Sequence, residues 1–466
     1  MNTVRKPPVS EPFLSPDEQR PSAQAWFAVA SVAVGAFIIV TTEFIPVGLL
    51  PRIAGSLHVS LGLAGLMVVV PGLSAAVSAP LIFAGARQAD RRKLILTLGG
   101  LVAVSNAVAS VAPDFGVLLL GRVLLGVAIA GFWTVVTPVG PKLVGDRAGT
   151  RAIAFIVAGV SAGTVIGLPA GQALGDLLGW RLTFATAAAT GLVIVAAQLV
   201  LLPGISADGH TRLRDLGGVF RIPFARAGLI ATAIVFIGQF AASTYITPLL
   251  ADRARMSAPT VTALFFGYGI AGIVGTLVGG RLVARSRVGA FAGAALAVGV
   301  ALIALPELSA VHVAVGITVV GWGLFWGIIP LTAQVWMLRS DPGAQEAVSA
   351  ANVSNMQISI AAGAAVGGLL VDSAGLVTVY TVAGSIALAS AVFALVAGHR
   401  EPVGRQKGPG GPARGNANDT GTGLVLRGRC GTCHSGQRTG GLLVRGSNKA
   451  EVREVGHAGA GTRAAS

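Results

Sequence analysis

The chain has 466 residues, of which 53% are hydrophobic and 11% charged. A soluble globular protein carries roughly 25% charged residues, so an ordinary water-facing domain is excluded and a chain crossing a membrane many times is indicated. The formal net charge of +15 could suit nucleic acid, but the basic residues are scattered between apolar segments, and no nucleic-acid partner is expected.

Residues 1–25 are Pro-rich and polar and read as a disordered cytoplasmic N-terminus. The apolar run that follows is too long for the core of a cleavable signal peptide. A bilayer-crossing helix needs about 20 mostly apolar residues. Twelve segments qualify: 26–50, 60–85, 94–112, 115–140, 151–177, 181–203, 227–251, 258–283, 288–306, 309–337, 345–371 and 375–398. Most links are a few residues long, so neighbours are antiparallel. The longest link, 204–226, divides the spans six and six. With the N-terminus inside, the inner loops carry fifteen Lys and Arg against four in the outer loops, the bias that short cytoplasmic loops show. The expected location is the cell inner (plasma) membrane with both termini cytoplasmic.

Within the first span, "IVTTEFIPVGLL" places Glu43 in an otherwise apolar run. Glu43 lies seven residues from the outer end of its span, and Arg122 lies seven residues from the outer end of span four. At 1.5 Å per residue both sit roughly 10 Å below the outer surface. They are the one acid and the one clear base deep in this half. A charge at such depth costs a few kcal/mol and normally faces a bundle interior or a cavity. One reading is static: the two form an ion pair, or each meets water and backbone. The other is a proton carrier, because burial favours the neutral acid while a nearby guanidinium favours the carboxylate.

Span five carries Gly159, Gly163, Gly167, Gly171, Gly175 and Gly179, with Pro169 among them. Glycines every four residues form a slowly winding smooth groove, which lets membrane helices approach closely. The second half then echoes the first. "GRLVARSR" repeats "ARQADRRK" after 194 residues, "LFWGIIPL" repeats "GFWTVVTP" after 193, and "GAAVGGLLVDSAG" repeats "GLPAGQALGDLLG" after 196. Parallel repeats of this kind describe a transporter whose solute binds between the halves, near mid-membrane. The expected fold is therefore an all-α polytopic membrane protein. It has twelve transmembrane helices in two pseudo-symmetric six-helix bundles, 26–203 and 227–398, joined by the cytoplasmic linker 204–226.

The stretches "TTEFIPVGLLP", "DRRKLIL", "GLPAGQALGDLLGWRLTFA" and "STYITPLL" resemble the major facilitator superfamily. Within it, they are similar to the drug:proton antiporter branch that includes sugar-efflux and purine-ribonucleoside-efflux members. The resemblance spans roughly 26–398 and implies proton-driven export by alternating access, by a protein that is no enzyme and works as a monomer. It gives Arg122 a part in proton coupling with Glu43, and Gly163, Gly167, Pro169 and Gly171 the place of the antiporter-motif helix. It assigns Asp90, Arg91 and Arg92 to a cytoplasmic gate. The family's glycine before that gate is Ala86 here, and a Gly-Arg step is missing.

Trp133, Gln239, Tyr245 and Asn355, with Gln334, Asn352 and Gln357, are candidates for lining the cavity. Hydroxyls and amides in a mostly apolar cavity suit a sugar, a nucleoside or a neutral drug. No His cluster, paired acids or phosphate loop stands in any span, so no cofactor and no metal is expected. The partners are the small solute, protons and the lipid bilayer. Residues 399–466 turn to Gly, Arg, Ala and Ser and read as a disordered cytoplasmic tail. They hold both cysteines, in Cys430-Gly431-Thr432-Cys433-His434. That spacing is the one for covalent c-type haem and would make a membrane-anchored redox protein. A cytoplasmic tail with no packed domain around the motif argues against it.

Overall fold

A computed structural model describes residues 21–85, 90–205, 219, 221–340 and 345–398. The tail with its Cys-Gly-Thr-Cys-His motif, the stretch 86–89 and most of the linker lie outside the described residues. Eleven described helices are long and apolar enough to cross a membrane. They are α1 (Ala23–Ser56), α2 (Leu66–Gly85, entered through the short turn Leu61–Ala64), α3 (Arg91–Val111), α4 (Phe115–Val144), α5 (Asp146–Leu178), α6 (Trp180–Leu201), α7 (Pro223–Ser243), α8 (Ala258–Arg285), α9 (Arg287–Glu307), α10 (His312–Leu338) and α11 (Gln345–Gly398). No strand occurs among the described residues.

Helix starts follow the capping chemistry of the sequence. Asp90, Asp114 and Ser286 accept backbone N–H bonds from Arg92, Val117 and Gly289 at the heads of α3, α4 and α9, supplying partners for donors that a helix start leaves open. α11 has 54 residues, about 80 Å at 1.5 Å each, far more than one crossing of a bilayer needs. It is broken at Gly375, where φ is 80° and ψ 174°. Gly179, between α5 and α6, has φ 79° and ψ 162°. Only glycine takes such angles without a steric penalty, which is why the chain can turn sharply at both points.

α1 runs to Ser56, past the expected end at residue 50, through Pro46 and Pro51. A proline has no N–H for the carbonyl four residues back, so Pro46 frees the Thr42 carbonyl and Pro51 that of Val47. Both are taken by side chains from other helices. Arg122 Nη1 donates to Thr42 O at 3.3 Å, and Thr247 Oγ1 donates to Val47 O at 2.9 Å.

The main packing pairs recur along the chain. α1 lies on α5 as α7 lies on α11, α2 on α4 as α8 on α10, and α3 on α4 as α9 on α10. α2 also meets α11, and α5 meets α8. Large apolar side chains stand outward from many helices, Val200 at 80% and Leu177 at 79% exposure. An outer surface of that kind is stable only against hydrocarbon.

Candidate functional site

Glu43 lies on α1, partly buried, with the Gln357 side chain facing its carboxylate from α11. The Gln357 amide nitrogen is itself buried and makes no hydrogen bond of ordinary geometry. One residue away, Arg122 is wholly buried. Beyond its bond to Thr42 O, its guanidinium lies 4.8 Å from the centre of the Phe184 ring. Its Nε and Nη2 have no hydrogen-bond partner. Asn106 on α3 joins the group by donating to Thr42 Oγ1 at 3.2 Å, while Asn106 Oδ1, Ser105 Oγ and Thr41 Oγ1 stay unpartnered.

The equal depth read for Glu43 and Arg122 agrees with the bond from Arg122 to Glu43's neighbour. A direct ion pair between them is not formed. Successive helical side chains point about 100° apart, so Arg122 meets the Thr42 side of α1 and Gln357 the Glu43 side. Leaving a buried donor or acceptor without a partner costs about 1–3 kcal/mol. A group with this many unpartnered polar atoms is thus a poor device for stability alone.

Both polar atoms of the Gln239 side chain on α7 are engaged. Trp322 Nε1 donates to its Oε1 at 2.7 Å, and its Nε2 donates to Tyr268 OH at 3.0 Å. Asn355 donates to the Leu229 carbonyl at 3.0 Å. Asn352 donates to Gln334 Oε1 at 2.8 Å, and Gln334 donates to Ser349 Oγ at 2.6 Å. Tyr245 is wholly buried and its hydroxyl donates to Ala364 O at 3.1 Å. A methyl on Gly65 or Gly368 would come within 3 Å of that hydroxyl. These five side chains hold helices together in this conformation, and Tyr245 seals an interface instead of facing open space. Trp133 packs edge-on against Phe132, centroids 5.7 Å apart.

Trp326 and Phe44 are partly buried and pack against the core that holds Phe236 and Phe240. Trp326 stands 193 residues after Trp133 and was visible in "LFWGIIPL" as its repeat mate. The proline–carbonyl offset of four residues was likewise visible, and would have marked Thr42 as a docking point.

The span-five glycines are in close contact with α1. A Cβ on Gly163 would lie 2.7 Å from Phe37 O, on Gly167 3.2 Å from Thr41 Cα, and on Gly171 2.5 Å from Ile45 O. On α11, a Cβ on Gly363 would lie 2.5 Å from Ile237 O and on Gly367 2.5 Å from Ala241 O. One offset of 196 residues carries both partners: Gly167–Thr41 becomes Gly363–Ile237, and Gly171–Ile45 becomes Gly367–Ala241.

Two aspartates mark the two ends of the bundle. Asp90 accepts from the Arg92 N–H at 2.8 Å and the Ile205 N–H at 3.2 Å. Arg91 N–H donates to Ile205 O at 2.9 Å, and Arg92 Nη2 donates to Leu199 O at 2.6 Å. The three expected gate residues thus tie the head of α3 to the end of α6. The Arg92 and Ile205 amides hold the Asp90 carboxyl below the usual aspartate range. A depressed acid contributes above its unfolded value and loses that contribution only as pH falls through the folded one. At neutral pH Asp90 therefore stays charged. Asp90→Ala is expected to lower the melting temperature of the purified protein by the same modest amount at pH 7 and pH 8, which a thermal-shift series checks.

At the other end, Asp372 of α11 accepts from Ser60 Oγ at 2.5 Å and from the Gly62 N–H at 2.9 Å. It thereby clasps the start of the second span. Nearby, Arg52 is paired with Asp176, and Val47, Leu50, Ala64 and Val68 share one core with Phe240, Ile246 and Leu250. At the Asp90 end, Ala28, Val32, Leu98 and Ala152 form a core of their own, as do Leu229, Met337 and Val348. Asp372→Ala is expected to loosen the clasped end. A cysteine replacing wholly buried Leu50, in a chain cleared of Cys430 and Cys433, should then react faster with a water-soluble maleimide.

Comparison with known proteins agrees with this architecture. The family model described as Major Facilitator Superfamily matches residues 32–364. The chain is 32% identical over 384 residues to the purine ribonucleoside efflux pump NepI of Salmonella paratyphi B, covering 82% of this chain and 96% of that protein. It is 32% identical over 390 residues to the protein of the same name from Salmonella typhimurium, with the same coverage. Among solved structures, a bacterial homolog of the human lysosomal transporter Spinster, inward-facing and unoccupied, superposes with a TM-score of 0.64 at 16% identity. That match covers 81% of this chain and 96% of the other. The human organic anion transporter MFSD10 gives a TM-score of 0.59 at 18% identity, covering 79% and 99%. The eleven apolar helices, the extent of the family match and the identity to efflux pumps lead to one conclusion: this multi-pass membrane protein belongs to the major facilitator superfamily of transporters.

Proposed function

We propose that the protein exports a small neutral solute in exchange for protons by alternating access, with Glu43 as the proton carrier. Its relatives' name makes a purine ribonucleoside the first candidate solute. The observation that carries the reading is the placement of Glu43 beside Gln357 of α11 while fully buried Arg122 docks on the adjoining Thr42 carbonyl. An acid touching the opposite half can sense how the halves are arranged. A guanidinium with two unpartnered nitrogens can exchange partners as they move.

In this reading α11 is two spans joined at Gly375, which makes twelve in all. The halves are residues 26–203 and 227–398, joined by a cytoplasmic linker at 204–226, and the 196-residue offset in glycine contacts supports their equivalence. Residues 1–25 and 399–466 lie in the cytoplasm. The loop charges put the Asp90 end there too, in the inner membrane. The clasped Asp372 end is then the closed outer side, and the conformation is open to the cytoplasm. Asp90, Arg91 and Arg92 would cross to the second half only when the inner side closes, and the α5 groove of Gly163, Gly167, Pro169 and Gly171 would slide on α1. Gln239, Tyr245, Trp133 and Asn355 would shape the cavity from behind.

Inverted membrane vesicles energised to be acidic inside test this. Inosine, ribose, xylose and chloramphenicol are offered with and without a protonophore. Accumulation of at least one solute, lost on adding the protonophore, is the expected result. Uptake of none, or uptake indifferent to the protonophore, sinks the reading.

A further inference from the structure

Phe44 and Phe240 stand 196 residues apart, the offset that relates Gly167 to Gly363 and Thr41 to Ile237. Their rings stack on each other with centroids 6.5 Å apart and planes 25° apart. Two equivalent residues touch only if they flank the axis that relates their halves, so this pair marks the centre of the molecule. Around it, Trp326 meets Phe236 at 4.9 Å and Phe240 edge-on at 6.0 Å, while Phe236 stacks on Phe240 at 6.0 Å. Phe236 and Phe240 are 4% and 7% exposed and back the cluster, whereas Phe44 and Trp326 keep part of their surface open. Phe44 follows Glu43 directly, and the Gln357 side chain faces the Glu43 carboxylate, its buried amide nitrogen making no hydrogen bond of ordinary geometry.

Leucine would bury apolar surface there without a ring face, and a sugar offers no flat π surface to meet one. We propose that the Phe44–Trp326 aromatic cluster is the stacking platform for a planar heterocyclic base, and that Gln357 Nε2 is the donor to an acceptor on that ring. This rests on the export reading and deepens it. The solute class becomes a base with its sugar, and Trp326 and Gln357 set the preference for it over free sugars. Stacking a base on an aromatic side chain is worth about 1–3 kcal/mol, or about 5- to 150-fold in affinity.

The test is equilibrium binding of radiolabelled inosine to the purified full chain in detergent, with no proton gradient. Unlabelled inosine should displace the label and ribose should not. Trp326→Leu, which keeps an apolar side chain but removes the ring, should weaken binding by about 5- to 150-fold, and Trp326→Phe should restore most of it. Gln357→Leu should weaken inosine more than a base analogue lacking the ring carbonyl. Monodisperse elution of each variant guards against misfolding, and the Phe variant serves if the Leu variant elutes as aggregate. Unchanged affinity in Trp326→Leu, displacement by ribose as effective as by inosine, or no inosine binding by the wild type would each overturn the platform. Inosine binding without protonophore-sensitive transport in vesicles would leave the platform standing and sink the export reading alone.

Discussion

Vesicles carrying Glu43→Gln are expected to lose proton-driven accumulation down to the level of passive leak, while the protein inserts and purifies as the wild type does. Glutamine keeps the size and hydrogen-bonding reach of the side chain but can neither take nor give a proton. Gln357 still has a polar group to face, so the packing between α1 and α11 should survive. An uncharged group at that depth also removes the few-kcal/mol cost of a carboxylate in the membrane, so stability should hold or rise. The decisive contrast is between driven and undriven movement. Solute exchange down its own gradient should persist in the variant, because the aromatic cluster and Gln357 are intact. Full protonophore-sensitive accumulation by Glu43→Gln would show that the proton travels by another group, and the coupling scheme would fall.

The second large effect is expected at Gly171. A methyl there would sit 2.5 Å from the Ile45 carbonyl oxygen, a distance real Cβ atoms essentially never show, and 3.1 Å from its Cα. Both atoms belong to helix backbone, so relief requires α5 and α1 to part along their whole shared groove. Overpacking of this kind costs about 1–3 kcal/mol, and Gly171→Val should lower the melting temperature in detergent and stop transport. Gly293 of α9 is the control, since a Cβ there meets nothing within 4 Å. Gly293→Ala should stabilise the helix by about 0.5–1 kcal/mol and leave transport unchanged. Equal behaviour of the two substitutions would mean that the α1–α5 contact is looser than the geometry states.

Much of the candidate site was legible because membrane burial makes polar residues conspicuous. Glu43, Arg122 and the span-five glycines stand out against an apolar background, and each lies at a helix contact. Partner choice was not legible. Equal depth along two helices says nothing of azimuth, so whether the two charges would pair or each meet backbone was open, and Arg122 takes Thr42 O while Gln357 lies beside Glu43. Polar side chains proposed for the cavity met the same limit. Gln239, Tyr245 and Asn355 point into neighbouring helices, because in hydrocarbon an amide or hydroxyl without water must find a protein partner.

Composition and hydropathy by themselves determined that this is a helical multi-pass membrane protein, because a chain short of charge cannot cover itself in water. The periodic glycines and the offset motifs determined which helices carry faces smooth enough for close packing, without naming their partners. Only the tertiary structure decided that Phe44 and Phe240 meet, that Asp372 clasps Ser60 and Gly62 while Asp90 binds the end of α6, and that the carbonyls freed by Pro46 and Pro51 bind Arg122 and Thr247. Those contacts depend on helix rotation and on how distant helices come together, which packing sets and no local stretch of sequence records.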